Sequence, residues 1–272
     1  MAGLPPVAAV DDSSTLSRGF AVQRRVIGAL MMRELHTRYG RDNVGYIWIV
    51  LEPLLLAAMI AILHSRSPSQ FGSDIKPVPL AILGYCTFIM YRQIVNRAEG
   101  ALEANLPLMY HRSVSVFDIL FSRALLEAAG TVVSLMVLMA LAVSLDMTRL
   151  PERPLLVFVA LLAIFLFSFA LSMLVCAATH DRPAIGRFVH PINYIMMPLS
   201  GAFFCVEWLP RAAADVVLWV PLVHIFELLR YGWFRSATPE FIDPLYLLGW
   251  ILVSLMLGLL ALNTLKGRVH LQ

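Results

Sequence analysis

Charged residues are scarce in this sequence. Only 14% of its 272 residues are charged, whereas 59% are hydrophobic, and the mean hydropathy is +0.76. A soluble globular domain carries about 25% charged residues, so this composition excludes that class. Several apolar runs approach the ~20 residues that an α-helix needs to cross a bilayer. We therefore expect an all-α polytopic membrane protein.

The motifs of several reaction classes are also missing. There is no GxxxxGK(S/T) loop to hold ATP phosphates, no HExxH pair to bind a catalytic zinc ion, and no GxSxG turn to expose a nucleophilic serine. The net charge of +3 comes from arginines beside apolar segments, which does not indicate nucleic-acid binding. We expect no catalytic centre, no metal site and no cofactor bound by this chain.

Cysteine is rare as well. Cys86, Cys176 and Cys205 lie in or beside apolar segments without the spacing of a metal site, which predicts small buried hydrophobic side chains. The seven histidines are scattered, mostly near span ends, where interfacial or packing roles are expected. The first residues lack the basic start and apolar core of a cleavable signal peptide. We expect residues 1–15 to form a disordered cytoplasmic tail.

The apolar runs predict six transmembrane helices, at 44–63, 78–95, 115–145, 154–178, 188–205 and 244–264. The third is longer than a bilayer requires, and the fifth contains Pro191 and Pro198, which predict kinks. Arginine and lysine are concentrated in the segments expected on one side of the membrane. By the positive-inside rule both termini are cytoplasmic, including the short tail 266–272.

Two segments do not fit plain spans. Residues 16–40 mix apolar and arginine positions, which favours an amphipathic helix at the membrane interface. Residues 206–235 are apolar but interrupted by Pro210 and Pro221, which favours a pair of re-entrant helices on the outer face. A full crossing in and out is the alternative, because it leaves the remaining topology unchanged.

Ionisable residues inside the spans are costly unless they face protein or a cavity. Glu52, followed by Pro53, either pairs across helices or lines a polar cavity. Arg123 and Glu127 stand four residues apart in the third span, and we expect this pair to be neutral and to help fix helix packing. Asp118 lies near the start of the same span.

Aromatic residues accompany the first and fifth spans and the segment 206–235. They are Tyr46, Trp48, Tyr194, Phe203, Phe204, Trp208, Trp219 and Tyr231. One interpretation is interface belts and core filling. The other is a surface along which sugar rings slide, since a conduit must bind its cargo strongly enough to admit it and weakly enough to release it.

The segment 96–107 is compatible with a helix up to Pro107 and carries Glu99 and Glu103 four residues apart. By itself this pattern indicates a solvated cytoplasmic helix. In a chain without a nucleotide-binding motif, it is also a candidate lever for a separate ATPase.

Several blocks of sequence carry a family resemblance. They are Arg33-Glu34, Thr37-Arg38-Tyr39-Gly40, Gly45-Tyr46-Ile47-Trp48, Glu52-Pro53, Glu103-Ala104-Asn105, Arg112-Ser113-Val114 with Asp118, Arg123 to Glu127, Pro221 to His224, and Glu227 to Arg230. Together they resemble the ABC-2 type polysaccharide export permeases, and among these the permease subunit of group 2 capsular polysaccharide exporters. The resemblance extends from Phe20 to about residue 262.

The resemblance implies a six-span subunit of the type V exporter kind, with an N-terminal interface helix, a cytoplasmic coupling helix at 96–107 and periplasmic gate helices at 206–235. It implies a homodimer bound to two copies of a cytoplasmic ABC ATPase, which would hold ATP and Mg. The cargo would be a lipid-linked capsular polysaccharide crossing the inner membrane. A periplasmic polysaccharide co-polymerase or adaptor and an outer-membrane export protein would continue the path, and no nucleic acid would take part.

The same resemblance suggests roles for individual residues. The lipid phosphate would be gathered by Arg24, Arg25, Arg38 and Arg41. The channel would be lined by Tyr46, Trp48, Tyr194, Phe203 and Phe204, and the outer gate formed by Trp208, Trp219, His224, Glu227 and Tyr231. Coupling to the ATPase would involve Arg97, Glu99, Glu103 and Asn105. The intramembrane polar residues Glu52, Arg123 and Glu127 would be structural or gating.

Alternatives remain at this point. The same fold could export O-antigen, teichoic acid or a small hydrophobic compound. An intramembrane enzyme acting on lipid-linked glycans would use Glu52, Asp118 or Glu127 as acid or base, but no clustered catalytic set supports it. A secondary transporter is disfavoured because the sequence shows no repeated halves.

Overall fold

The computed structural model describes residues 12–39, 74–109 and 114–269, together with the single positions Leu51, Leu55 and Met59. Within these ranges the regular elements are α-helices and two 3-10 turns. The α-helices are α1 Asp12–Tyr39, α2 Pro77–Asn96, α3 Leu106–Met109, α4 Val116–Ser144, α5 Pro154–Asp181, α6 Pro183–Leu199, α7 Arg211–Val217, α8 Pro221–Trp233 and α9 Pro244–Val269. The 3-10 turns are Glu103–Asn105 and Val206–Trp208.

Four helices in the described ranges are long and apolar enough to cross a membrane: α2, α4, α5 and α9 up to Leu265. These helices coincide within a few residues with four of the segments predicted as spans. The first predicted span, 44–63, lies outside the described residues except at Leu51, Leu55 and Met59, each of which is helical.

Helix α2 is central, since it packs against α4, α5 and α6, and most of its residues are buried. Helix α9 packs along α5. Glycine permits a close approach of α2 to another segment, because a Cβ at Gly84 would lie 1.8 Å from the carbonyl oxygen of Ala202. The backbone around residue 202 therefore rests directly on α2.

Helix α6 corrects the fifth predicted span. It begins at Pro183 and ends at Leu199, rather than running from 188 to 205, and at 17 residues it is short for a bilayer crossing. Proline starts it readily because the first helical turn needs no N–H donor from that residue. After its end, Gly201 adopts a φ of +82°, a left-handed conformation that reverses the chain.

Helices α7 and α8 form a bent pair, with an angle of 106° across a break of three residues. Pro221 opens α8 and disfavours helical conformation in the residue before it, so the chain must bend there. This geometry fits either re-entrant helices or one broken span. The bend predicted within 206–235 is thus observed, and which of the two it serves stays a prediction.

Helix α1 is longer than the interface helix predicted for 16–40. It begins at Asp12, so the last four residues of the predicted disordered tail are helical. The helix packs against α4, where Gln23 donates a hydrogen bond to Asp118 at 3.1 Å. Asp118 also completes a capping box with Ser115 at the start of α4. Asp118 is therefore used in helix capping.

Candidate functional site

A cluster of charged and polar residues joins the turn after α2 with α1, α4, α5 and α6. We call it the polar junction; it comprises Arg33, Glu34, Arg97, Glu99, Glu103, Asn105, Arg123, Glu127, His180 and His190. Its central ion pairs connect separate elements: Arg123 Nε lies 3.3 Å from Glu34 Oε1, and Arg97 Nε lies 2.7 Å from Glu127 Oε1. Arg123 also donates to the carbonyl of Arg97 at 3.3 Å.

Sequence spacing predicted a pair formed by Arg123 and Glu127 within one helix. In the structure each of these residues contacts a charged residue of another element, α1 for Arg123 and the turn after α2 for Glu127. Glu34 is buried, at 8% exposure. A buried charge needs a partner, and these contacts supply it across a sequence separation that spacing cannot reveal.

The turn after α2 corrects the predicted coupling helix. Helix α2 ends at Asn96, and turns, the 3-10 segment Glu103–Asn105 and the short α3 follow in place of one helix over 96–107. Gly100 has a φ of +63°, a left-handed conformation that interrupts a helix.

Asn105 holds this turn against α1. Its side-chain oxygen accepts a hydrogen bond from Arg33, and its amide nitrogen donates to the carbonyl of Ala101 at 2.7 Å. Only 1% of its surface is exposed. Asn105, predicted to act in coupling, is therefore a buried residue whose hydrogen bonds join the turn to α1.

Glu99 and Glu103 face the connection between α5 and α6. His180 Nδ1 lies 2.9 Å from a Glu103 oxygen, and His190 Nε2 lies 3.6 Å from Glu99. The other surface of the turn is open, since Glu103, Ala104, Leu106 and Pro107 are exposed. The segment therefore offers a free tip while it contacts three parts of the helical bundle.

The bent pair contains a second polar cluster, centred on Glu227 and Arg230. Their side chains lie 2.5 Å apart and are almost fully buried. Glu227 also accepts a hydrogen bond from the Val206 amide at 2.9 Å, and Arg230 donates to the carbonyl of Gly201. These contacts tie α8 to the backbone turn after α6. Glu227, predicted as a gate residue, is buried below the protein surface.

His224 connects α8 with the break after α7 and with the start of α9. Its Nε2 is 2.9 Å from the carbonyl of Leu218, and its Nδ1 accepts from the amide of Asp243 at 3.2 Å. Since Nδ1 is an acceptor, the proton resides on Nε2, which then donates to Leu218. The ring also lies 5.0 Å from that of Tyr246 at the start of α9.

The predicted aromatic residues differ in burial within the described part of the chain. Phe203 lies 6.4 Å from Tyr85 and packs against the core, as does Trp208, and Phe204 is half-buried. Tyr194 and Trp219 are exposed. The guanidinium groups of two arginines lie over aromatic rings, Arg92 over Tyr194 at 5.5 Å and Arg153 over Tyr231 at 4.0 Å.

The arginines predicted to gather phosphate are only partly described. Arg24 and Arg25 are exposed on α1. Arg38 lies in the last turn of α1. Arg41, Tyr46, Trp48 and Glu52 lie outside the described residues.

Sequence reasoning missed Glu34 and both histidines of the polar junction. Glu34 stands beside Arg33 in a basic run, and an isolated acid in such a run is a signal that it has a distant partner. No local pattern connects His180 or His190 with Glu103 or Glu99, because more than seventy residues separate each pair.

Comparison with known proteins shows which family has this architecture. The sequence profile of the ABC-2 type transporter family matches residues 25–234, from α1 to the end of α8. This chain belongs to the ABC-2 type transporter family. It is a transport protein with several membrane-spanning helices.

Characterised members of this family are similar over nearly the whole chain. The chain is 34% identical over 261 residues to the capsule polysaccharide export inner-membrane protein BexB of Haemophilus influenzae, covering 96% of this chain and 98% of that protein. It is 36% identical over 239 residues to the capsule polysaccharide export inner-membrane protein CtrC of Neisseria meningitidis, covering 88% and 90%. It is 31% identical over 261 residues to the polysialic acid transport protein KpsM of Escherichia coli, covering 90% and 95%.

The polar junction is where α1, α4, α5 and α6 meet one exposed turn, and its ion pairs and hydrogen bonds connect the turn with these helices.

Proposed function

We propose that this chain is the membrane-spanning subunit of an ATP-driven exporter that carries lipid-linked capsular polysaccharide across the inner membrane. The named relatives are capsule polysaccharide and polysialic acid export proteins, and they match this chain almost end to end. The polar junction supplies the structural support, because it connects an exposed turn with the helices that would move.

We propose that the chain works as a homodimer with two copies of a cytoplasmic ABC ATPase, which binds ATP and Mg. The exposed tip of the turn, from Glu103 to Pro107, is the proposed contact with the ATPase. Glu103 is half-exposed while it contacts His180, and Leu106 is 42% exposed. An apolar side chain within a charged tip is typical of a protein contact.

The route of the force follows the contacts of the turn. Displacement of the tip would act on α1 through Asn105 and Arg33, and on α4 through Arg97 and Glu127. It would act on the α5–α6 connection through Glu103 and His180. In this proposal ATP binding rearranges the helices through the turn.

The cargo would enter at α1, where the exposed Arg24 and Arg25, with Arg38 and Arg41, attract the phosphate of the lipid anchor. Aromatic residues would then line the conduit, and the bent pair would act as the outer gate. Both termini would be cytoplasmic. A periplasmic co-polymerase or adaptor and an outer-membrane export protein would receive the polymer.

Reversal of a charge on the tip tests the ATPase contact. The chain is co-expressed with the candidate ATPase subunit from the same genome, and the complex is purified through a tag on this chain. We expect Glu103→Lys to abolish most ATPase co-purification, because it reverses the charge at the proposed docking surface. Glu240→Lys, at an exposed acid far along the chain in the segment before α9, is the control and should retain it.

Export itself is tested in a strain lacking this gene, with surface polysaccharide measured by flow cytometry. Complementation by the wild-type chain should restore surface polymer, and Glu103→Lys should not. Unchanged surface polymer in the deletion strain would contradict the proposed cargo. Normal co-purification of the Glu103→Lys chain would contradict the docking surface alone.

A further inference from the structure

Three separate segments converge on a cleft at the end of α2 opposite to the polar junction. The cleft encloses about 730 Å³, within the ~300–1,000 Å³ of small-molecule sites. Its lining comes from the residues before α2, the connection between α4 and α5, and the end of α8 with the residues after it. They are Asp74, Lys76, Asp146 to Leu150, Glu152 and Trp233 to Ser236.

The walls of the cleft are held together by hydrogen bonds. The Asp74 carboxylate accepts from the amides of Arg235 at 2.7 Å and Ser236 at 3.2 Å, and from the Ser236 hydroxyl. The ammonium group of Lys76 donates to the carbonyl of Asp146 at 2.8 Å. The cleft is therefore formed before any ligand arrives, which reduces the entropy lost on binding.

Asp74 keeps its charge in this setting. Burial alone would raise its pKa, but hydrogen bonds from Ser236 and Arg235 outweigh burial, and its pKa is lowered from 3.8. Its acceptor sites are occupied by these donors. Asp74 thus shapes the wall and leaves ligand contact to other groups.

The remaining lining supplies unengaged charges. Among the described residues no ion pair or hydrogen bond occupies the guanidinium group of Arg149 or Arg235 or the carboxylate of Glu152, and all three residues are exposed. Trp233 adds an aromatic ring, with its indole N–H 3.4 Å from the Thr148 hydroxyl. Free donors, a free acceptor and an aromatic ring occur together in one cleft.

Ligand chemistry follows from this set. A purely anionic ligand would meet three carboxylates, and an apolar one would leave the charges desolvated without partners. A sugar offers hydroxyl groups that donate to Glu152 and accept from arginine, and C–H faces that pack on an aromatic ring. Acidic groups on the sugar would gain charge-assisted bonds from Arg149 and Arg235.

We propose that this cleft is a glycan-binding site that holds a short stretch of polysaccharide bearing acidic groups. The choice of a glycan rests on the proposed export function, whereas the cleft and its free arginines do not. The site lies about 30 Å from the polar junction, the length of the 20-residue α2. A contact of this kind would hold the polymer on the far side of the bundle from the proposed ATPase surface.

Isothermal titration calorimetry on the purified full chain in detergent tests the proposal, with tetragalacturonate as the acidic probe and maltotetraose as the neutral one. We expect saturable binding of tetragalacturonate, and weaker binding of maltotetraose. The double variant Arg149→Ala/Arg235→Ala should weaken tetragalacturonate binding by about tenfold or more, since two charge-assisted contacts are lost. Arg211→Ala, an exposed arginine on α7 outside the cleft, is the matched control and should bind as wild type.

The variant Trp233→Phe separates ring packing from the indole N–H and keeps the aromatic side chain. It should bind both probes within about threefold of wild type. No saturable binding of either probe would overturn the site. Equal binding by the double variant and the wild type would overturn the role of the arginines. These measurements need neither ATPase nor export, so failure of the site and failure of the proposed export function are distinguishable.

Discussion

The two polar regions at the ends of α2 hold their charges in opposite ways. In the polar junction, the central arginine and glutamate side chains are at most one-third exposed and contact each other across separate elements. In the cleft, Arg149, Arg235 and Glu152 are exposed and hold no ion pair among the described residues. The difference separates charges that connect helices from charges that are free to meet a ligand.

Burial explains why the same residue types behave differently. A buried charge that loses its partner costs about 3–5 kcal/mol, so the junction must keep its pairs satisfied. An exposed charge remains hydrated and contributes about 0–1 kcal/mol to stability. Stability and ligand binding should therefore respond to mutation at opposite ends of α2.

The largest expected effect comes from removing the central cation of the junction. Arg123→Met should destabilise the protein by roughly 3 kcal/mol, because the buried Glu34 loses its ion pair with Arg123. The matched substitution Arg149→Met in the cleft should change stability by less than about 0.5 kcal/mol. Thermal unfolding of both purified variants in detergent measures the difference. Equal melting temperatures would remove the distinction between the two regions.

A smaller effect is expected at the helix that joins the regions. Gly84→Ala places a Cβ where the Ala202 carbonyl oxygen lies, so α2 and the turn after α6 must move apart, at a cost of about 1–3 kcal/mol. Gly249→Ala, in α9 with open space at its Cβ, should be neutral or stabilising by up to ~1 kcal/mol. Unfolding temperatures of the pair test this. If the two variants unfold at the same temperature, the close approach at Gly84 contributes nothing measurable to stability.

The smallest effect concerns pH and the cleft wall. Because the folded-state pKa of Asp74 lies below its usual value of 3.8, its contribution to stability is present above that value and is lost as pH falls through the folded pKa. Asp74→Asn should lower the melting temperature by at most ~4 °C at pH 7, and the difference from wild type should shrink as the pH falls below 3.8. Glu240→Gln, at an exposed acid, should show no such pH dependence. A constant difference across this range would contradict the role of ionised Asp74.

Sequence periodicity was sufficient where a helix is long and uniformly apolar. Helices α2, α4, α5 and α9 match the predicted spans closely because many apolar residues contribute to each. Prediction was less accurate for α6 and for the segment 96–107. Gly201 and Gly100, each with a positive φ, set the path of the chain there. Hydropathy averaged over many residues does not reveal the conformation of a single glycine.

The candidate site was predicted only in part for the same reason. Glu103 and Asn105 were singled out, but the sequence assigned both to one exposed helix. In the structure Asn105 is buried against Arg33, and only the tip around Glu103 is free. The contacts between elements in this junction join residues 26 to 91 positions apart, and Arg33 is 72 positions from Asn105.

The sequence by itself determined that this protein is a helical membrane protein of the ABC-2 type, because apolar length and local motifs are properties of contiguous residues. Only the tertiary structure decided which charges pair, where α6 begins and ends, and that three distant connections enclose a cleft. These features depend on side chains brought together from remote positions. Their energies arise from burial and distance, which exist only once the helices have packed.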